Sequence, residues 1–179
     1  MPKTRQELFT TLDDLGIAAT TVTHPPLFTV AQSQELRGGI EGEHTKNLFL
    51  KDKKGRYFLV TIEENSEVDL KTIHQRIGAT GRVTFGKPEA LLEMLGVEPG
   101  SVTPFGLIND MELRVTFVLD AALADAAIVN CHPLANDATT AISGSDLLKF
   151  ADASGHPPML LNMAPGMPHL TRTSVRKEF

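Results

Sequence analysis

The sequence holds a single cysteine, Cys131, so no internal disulfide can form and a cysteine-rich metal site is excluded. That suits a reducing compartment, and a cytoplasmic location is expected. No apolar run approaches the ~20 residues that a membrane-spanning helix needs. The N-terminal stretch MPKTRQELFTTLDDLG is charged and amphipathic and lacks the apolar core of a signal peptide. No internal repeat or low-complexity tract is visible. His24, His44, His74, His132, His156 and His169 show neither HxxxH nor HExxH spacing, so no zinc site is expected. The G-x-S-x-G elbow of many ester hydrolases is also missing. The net charge of −5 argues against a protein that coats nucleic acid through phosphate contacts alone. It leaves room for a local basic face. Lys46, Lys51, Lys53, Lys54 and Arg56 form one cluster, and Lys71, Arg76, Arg82 and Lys87 a second.

What is present is the composition of an ordinary globular chain of 179 residues, long enough to bury a core without staples. The patterning predicts a single α/β domain around one mixed, largely antiparallel sheet packed with helices. Thr4 and Glu7 have capping-box spacing ahead of a helix with Leu8, Leu12 and Leu15 on one face. IAATTVTH reads as a strand and VAQSQELRGG as a short helix. NLFLKD and RYFLVTI read as a hairpin turning at Asp52–Gly55. Asp69 is expected to cap the helix DLKTIHQRIG. RVTF reads as a strand and KPEALLEMLG as a helix opened by Pro88. VEPGSVTPFGLIND has the composition of an ordered loop. LRVTFVLD, AAIVNC, TTAISG and PMLLNM read as strands, with SDLLKFADASG a helix among them. The domain is expected to span residues 1–165, with residues 166–179 a loosely ordered tail.

Three motifs point to chemistry that their context denies. GRVTFGKP matches G-x-x-x-x-G-K, but Pro88 stands where a phosphate-binding loop needs Ser or Thr, and RVTF reads as a strand. IGATG resembles the GXXG clamp of RNA-binding modules, yet a strand follows it instead of a helix, so a helix C-cap is expected. Cys131-His132 suggests thiol catalysis, but Cys131 ends an apolar strand and is expected to be buried and structural.

Two segments carry more weight. In GSVTPF, a glycine and a proline four apart fix a tight loop that can aim backbone N–H groups at a carbonyl oxygen gaining charge. In CHPLANDATT, His132 lies at a strand end before a proline-bent turn rich in Asn, Asp and Thr, where ligand groups tend to gather. With KNLFLKD ahead of them, these segments in this order resemble the YbaK/ProX superfamily of aminoacyl-tRNA deacylases. They are most similar to the free-standing prolyl-tRNA synthetase associated domains that edit alanyl-tRNA(Pro). The resemblance covers about residues 4–163.

The resemblance implies a mixed sheet packed with helices and hydrolysis, without metal or cofactor, of the ester joining a mischarged amino acid to tRNA(Pro). Lys46 matches the family's motif lysine, with Asn47 beside it. Gly100, Ser101, Val102, Thr103 and Pro104 match its GXXXP loop. His132 matches its histidine, with Asn136 and Thr139 nearby. Catalytic roles then fall to Lys46, the Gly100–Thr103 backbone and His132, and substrate contacts to Asn47, Pro104, Asn136 and Thr139. The family relies in part on the ribose hydroxyl of the terminal adenosine. Lys51, Lys53, Lys54 and Arg56 would meet phosphates of the tRNA acceptor end, and residues near Leu27, Phe28 and Val30 would wall the amino-acid pocket. Partners are tRNA(Pro) and, as a further candidate, prolyl-tRNA synthetase, with no membrane and no DNA. Two alternatives stay open: a non-catalytic module that binds tRNA or the synthetase, and a deacylase for Cys, Ser or Thr.

Overall fold

The structure is a computed structural model that describes residues 1–27, 39–163 and 170–171. Its first helix, α1 (Arg5–Asp14), begins as the spacing predicts. The Thr4 hydroxyl accepts from the Glu7 N–H, and the Glu7 carboxylate accepts from the Thr4 N–H. Leu8 and Leu12 go into the core. The strands follow as β1 (Thr20–Thr23), β2 (Glu43–Lys51), β3 (Tyr57–Glu63), β4 (Thr84–Phe85), β5 (Val115–Asp120), β6 (Val129–Cys131), β7 (Ala138–Ile142), β8 (Met159–Leu161) and β9 (Leu170–Thr171). The other helices are α2 (Ile73–Ile77), α3 (Pro88–Leu95), α4 (Ala121–Ala124) and α5 (Gly144–Ala153).

Together the strands form one sheet in the order β1-β7-β6-β2-β3-β5-β8-β9, with β4 on β2. The β2–β6, β3–β5 and β5–β8 pairs are parallel and the rest antiparallel, as a mixed, largely antiparallel sheet requires. One face buries Phe49, Leu59, Phe117 and Leu119 under α1, α3, α4 and α5. The opposite face buries Leu50, Phe58, Val60, Ile62 and Val118 under α2, through Ile73 and Ile77. Covered on both faces, β3 reads as the continuous apolar run YFLVTI, not as an alternation.

Several expectations need correction. Asp69 does not cap α2. Its carboxylate accepts from the Lys71 N–H and the Thr72 hydroxyl, closing a turn one step ahead of a helix that starts at Ile73. The loop expected after α3 winds a 3-10 turn over Pro104–Asn109, set by Pro104 at its first position. The short α4 was not foreseen. Asp120 caps it by accepting from the Ala122 N–H, in a stretch too short for periodicity to show. Leu170 and Thr171 pair with β8, and the rest of residues 166–179, expected to be a loose tail, lies outside the described residues. The helix expected over residues 30–39 lies outside the described residues except for Gly39, as do Phe28 and Val30. IGATG behaves as a helix stop, with Gly78 left-handed at the end of α2.

Candidate active site

Strand β2 is paired unevenly. On one side β3 accompanies it from Thr45 to Lys51. On the other, β6 pairs only with Glu43 and His44, and β4 only with Leu50 and Lys51. Lys46, Asn47 and Leu48 therefore lie on an edge stretch that no second strand covers among the described residues. Successive strand residues point to opposite faces. Lys46 stands opposite Ile62 on the α2 face, and its Nζ donates to the Ser66 carbonyl at 2.6 Å. Asn47 stands opposite Thr61 on the other face, where its Oδ1 accepts from the Thr61 hydroxyl at 2.6 Å. The pair is thus not a single grip from one side. Only a ligand seated at the strand edge can meet both.

Beside this edge, β6 ends. The Thr45 hydroxyl donates to the Asn130 carbonyl at 2.9 Å and lies 3.9 Å from the Cys131 sulfur. Cys131 is buried, and burial pushes its thiol up to about 12, which the Thr45 hydroxyl only partly opposes. A thiol held there stays protonated at neutral pH, so it is structural, as the apolar strand predicts. His132 follows, and its Nδ1 lies 3.1 Å from the Ala138 carbonyl. A carbonyl can only accept, so Nδ1 carries a proton and donates it to Ala138.

The segment after His132 is tied down from three directions. Arg5 at the start of α1 donates to the Asp137 carboxylate and, at 3.1 Å, to the Pro133 carbonyl. The guanidinium holds Asp137 below the usual carboxylate range. Asn136 exchanges hydrogen bonds with Leu27, donating from Nδ2 to its carbonyl at 3.1 Å and accepting its N–H on the backbone at 3.3 Å. The Thr139 hydroxyl meets His24 Nε2 at 2.9 Å. Leu134 holds φ +69°, a strained value for a branched side chain.

The Gly100–Pro104 loop reaches this segment. Glu98 to Ser101 is a tight turn, with Pro99 followed by Gly100 at φ +89° and the Ser101 N–H donating to the Glu98 carbonyl. A Cβ on Gly100 would lie 3.9 Å from Asn136 Nδ2, so backbone conformation, not space, selects glycine. Thr103 is fully buried, and its hydroxyl accepts from the Phe105 N–H. The Ser101 N–H is spent inside the turn, but the N–H groups of Val102 and Thr103 have no acceptor among the described residues. Main-chain donors without partners beside a buried threonine are costly unless something outside the protein accepts from them.

The sequence-predicted residues therefore fall into three places. The Gly100–Pro104 loop meets, through Gly100, Asn136 of the segment that also carries His132 and Thr139. Lys46 and Asn47 occupy the two faces of the β2 edge. Lys51, Lys53, Lys54 and Arg56 lie at the far end of the hairpin, where Arg56 is engaged by Asp52, the Gly78 carbonyl and Thr80. Sequence reading missed Arg5, His24, Thr45 and Asp137, whose partners are distant along the chain and leave no local pattern.

The family model of the aminoacyl-tRNA editing domain matches residues 24–150, a span that holds every one of these predicted positions. The chain is 39% identical over 160 residues to a zebrafish (Danio rerio) protein named prolyl-tRNA synthetase associated domain-containing protein 1, covering 88% of this chain and 86% of that one. It is 35% identical over 153 residues to the prolyl-tRNA editing protein ProX of Acetoanaerobium sticklandii, covering 85% and 93%. A crystal structure described as that of a candidate trans-editing enzyme for prolyl tRNA synthetase superimposes with a TM-score of 0.66 at 18% identity, covering 90% of this chain and 98% of that one, and so supports the fold. On these grounds the chain belongs to the aminoacyl-tRNA editing domain family.

Proposed function

We propose that the protein is a trans-editing deacylase that hydrolyses the ester of mischarged tRNA(Pro), with Ala-tRNA(Pro) as its substrate. The observation that carries this reading is the Gly100–Pro104 loop, whose Val102 and Thr103 N–H groups have no acceptor among the described residues. Donors fixed in advance stabilise an ester carbonyl oxygen as it becomes an oxyanion. Water attacks the carbonyl carbon, the bond to the ribose oxygen breaks, and the water's proton passes to that leaving oxygen. Lys46 and Asn47, one on each face of the uncovered edge, hold the terminal nucleotide between them. His132, fixed by its Nδ1 bond to Ala138, orients the ester. The relatives' names associate the family with prolyl-tRNA synthetase, and the enzyme acts beside that synthetase in the cytoplasm.

The selectivity has a physical basis. An apolar synthetase pocket separates substrates by only ~1–3 kcal/mol per methylene, so a proline site leaks alanine. A second pocket that admits alanine and excludes proline by size corrects the leak. The test is hydrolysis of Ala-tRNA(Pro) and Pro-tRNA(Pro) by excess enzyme, beside Lys46→Ala. Loss of alanine alone, at least 100-fold slower in the folded variant, is expected. A folded, fully active Lys46→Ala enzyme removes Lys46 from the site. Inactivity on both esters and on Cys-, Ser- and Thr-charged tRNA leaves a binding module.

A further inference from the structure

Phe85 is 58% exposed on the two-residue strand β4, the outermost strand at that point of the sheet. It stands opposite Leu50 in an antiparallel pair, so both side chains lie on one face. Lys46, Leu48 and Leu50 alternate along that same face of β2. Phe85 therefore shares a face with Lys46 and lies about four strand residues further on, or roughly 13 Å along the strand. The uncovered edge of β2 runs between them.

The surroundings are basic. Arg82 and Lys87 flank Phe85 in sequence and are exposed. The Lys53 side chain packs beside Gly81, whereas Lys51, opposite Thr84, lies on the other face with its Nζ over the Tyr57 ring. The one carboxylate of the hairpin turn, Asp52, is buried and already bonded to Arg56, Lys54 and Thr80. In a chain of net charge −5, this is a local positive rim around an exposed aromatic ring.

We propose that Phe85 is a stacking platform for the base of an unpaired nucleotide a few positions upstream of the esterified 3′ end, with Lys53, Arg82 and Lys87 on the adjoining phosphates. This rests on the deacylase reading for the strand's direction: the terminal nucleotide sits at Lys46 and Asn47, and the single-stranded tail runs to Phe85 along the β2 edge that no strand covers among the described residues. Aromatic rings hold single-stranded bases by their faces without reading sequence, and flanking cations hold the backbone. A lone exposed Phe on an edge strand otherwise invites pairing with another chain, a liability that the three cations oppose.

The test compares wild type, Phe85→Ala and Phe85→Trp by fluorescence anisotropy with an RNA minihelix ending in single-stranded CCA. Thermal unfolding confirms that each variant folds. Phe85→Ala is expected to weaken binding about tenfold or more, and Phe85→Trp to restore it. In deacylation assays the loss falls on KM rather than on kcat. Equal binding by wild type and Phe85→Ala overturns the platform even if the ester is cleaved. A variant that changes the sedimentation coefficient of the free protein also overturns it, because Phe85 then serves contacts between copies. Phe85-dependent binding by a protein that cleaves no ester upholds the platform and removes the deacylase reading instead.

Discussion

The carboxylate of Asp52 accepts from the N–H groups of Lys54, Arg56 and Thr80 and from the Arg56 guanidinium. Burial works to raise its pKa, but these donors outweigh it and hold the group at about 2, against an ordinary 3.8. A folded-state pKa below the unfolded one adds stability that is complete above the unfolded value. That stability is lost as pH falls from 3.8 toward about 2. Arg56 is half exposed, so the ion pair contributes less than the backbone donors, which would be left unmet. Asp52→Asn is expected to cost about 2–3 kcal/mol at neutral pH, where one of the two accepting oxygens becomes an NH2 group and two of the four donors lose their acceptor. Urea unfolding should show the gap between variant and wild type narrowing across that acid window. A gap independent of pH would mean that Asp52 acts through packing instead. The residue matters beyond stability because it ties the basic turn to the loop that carries Gly81 and Arg82.

Among the elements, α1 does more than cover the sheet. Through Arg5 its first turn clamps the segment between β6 and β7 at Asp137 and Pro133. Asn136, in the middle of that segment, is also the neighbour of Gly100. Arg5→Ala is expected to lower global stability by about 1 kcal/mol or less, because the pair is partly solvated. Amide exchange at Leu134 to Asp137 should quicken, and deacylation should slow several-fold. Unchanged exchange at those amides would show that β6 and β7 fix the segment unaided. This clamp marks the limit of what the sequence discloses. The capping box of α1, the hairpin turn, the left-handed stop at Gly78 and the proline start of α3 were legible because their partners lie within four residues. The pairing of β2 with β6 and of His24 with Thr139 was not, since nothing local encodes a register set across about a hundred residues. Lys46 and Asn47 were legible as a pair on a strand. Their opposite faces follow from strand geometry, but the uncovered edge that makes both useful depends on where β6 and β4 stop.

At the scale of the whole molecule, charge is separated. The chain is acidic overall, with pI ≈ 5.7, yet Lys51, Lys53, Lys54, Arg82 and Lys87 crowd one end of the β2–β3 hairpin. A molecule built this way attracts a polyanion only in one orientation and repels it elsewhere, which favours release after each turnover. Because binding then rests on a few phosphate contacts, affinity for tRNA should fall with salt along a shallow slope in log–log form. Each lost duplex contact removes about 0.9 from that slope, and each single-strand contact about 0.7. The double variant Lys53→Ala/Lys54→Ala is expected to flatten the slope by roughly 1.4–1.8 and to weaken binding chiefly at low ionic strength. It should leave unfolding free energy within about 0.5 kcal/mol of wild type, since both side chains are exposed. An unchanged slope would place the phosphates elsewhere on the surface, and the basic hairpin would then be a solvated turn held in shape by Asp52.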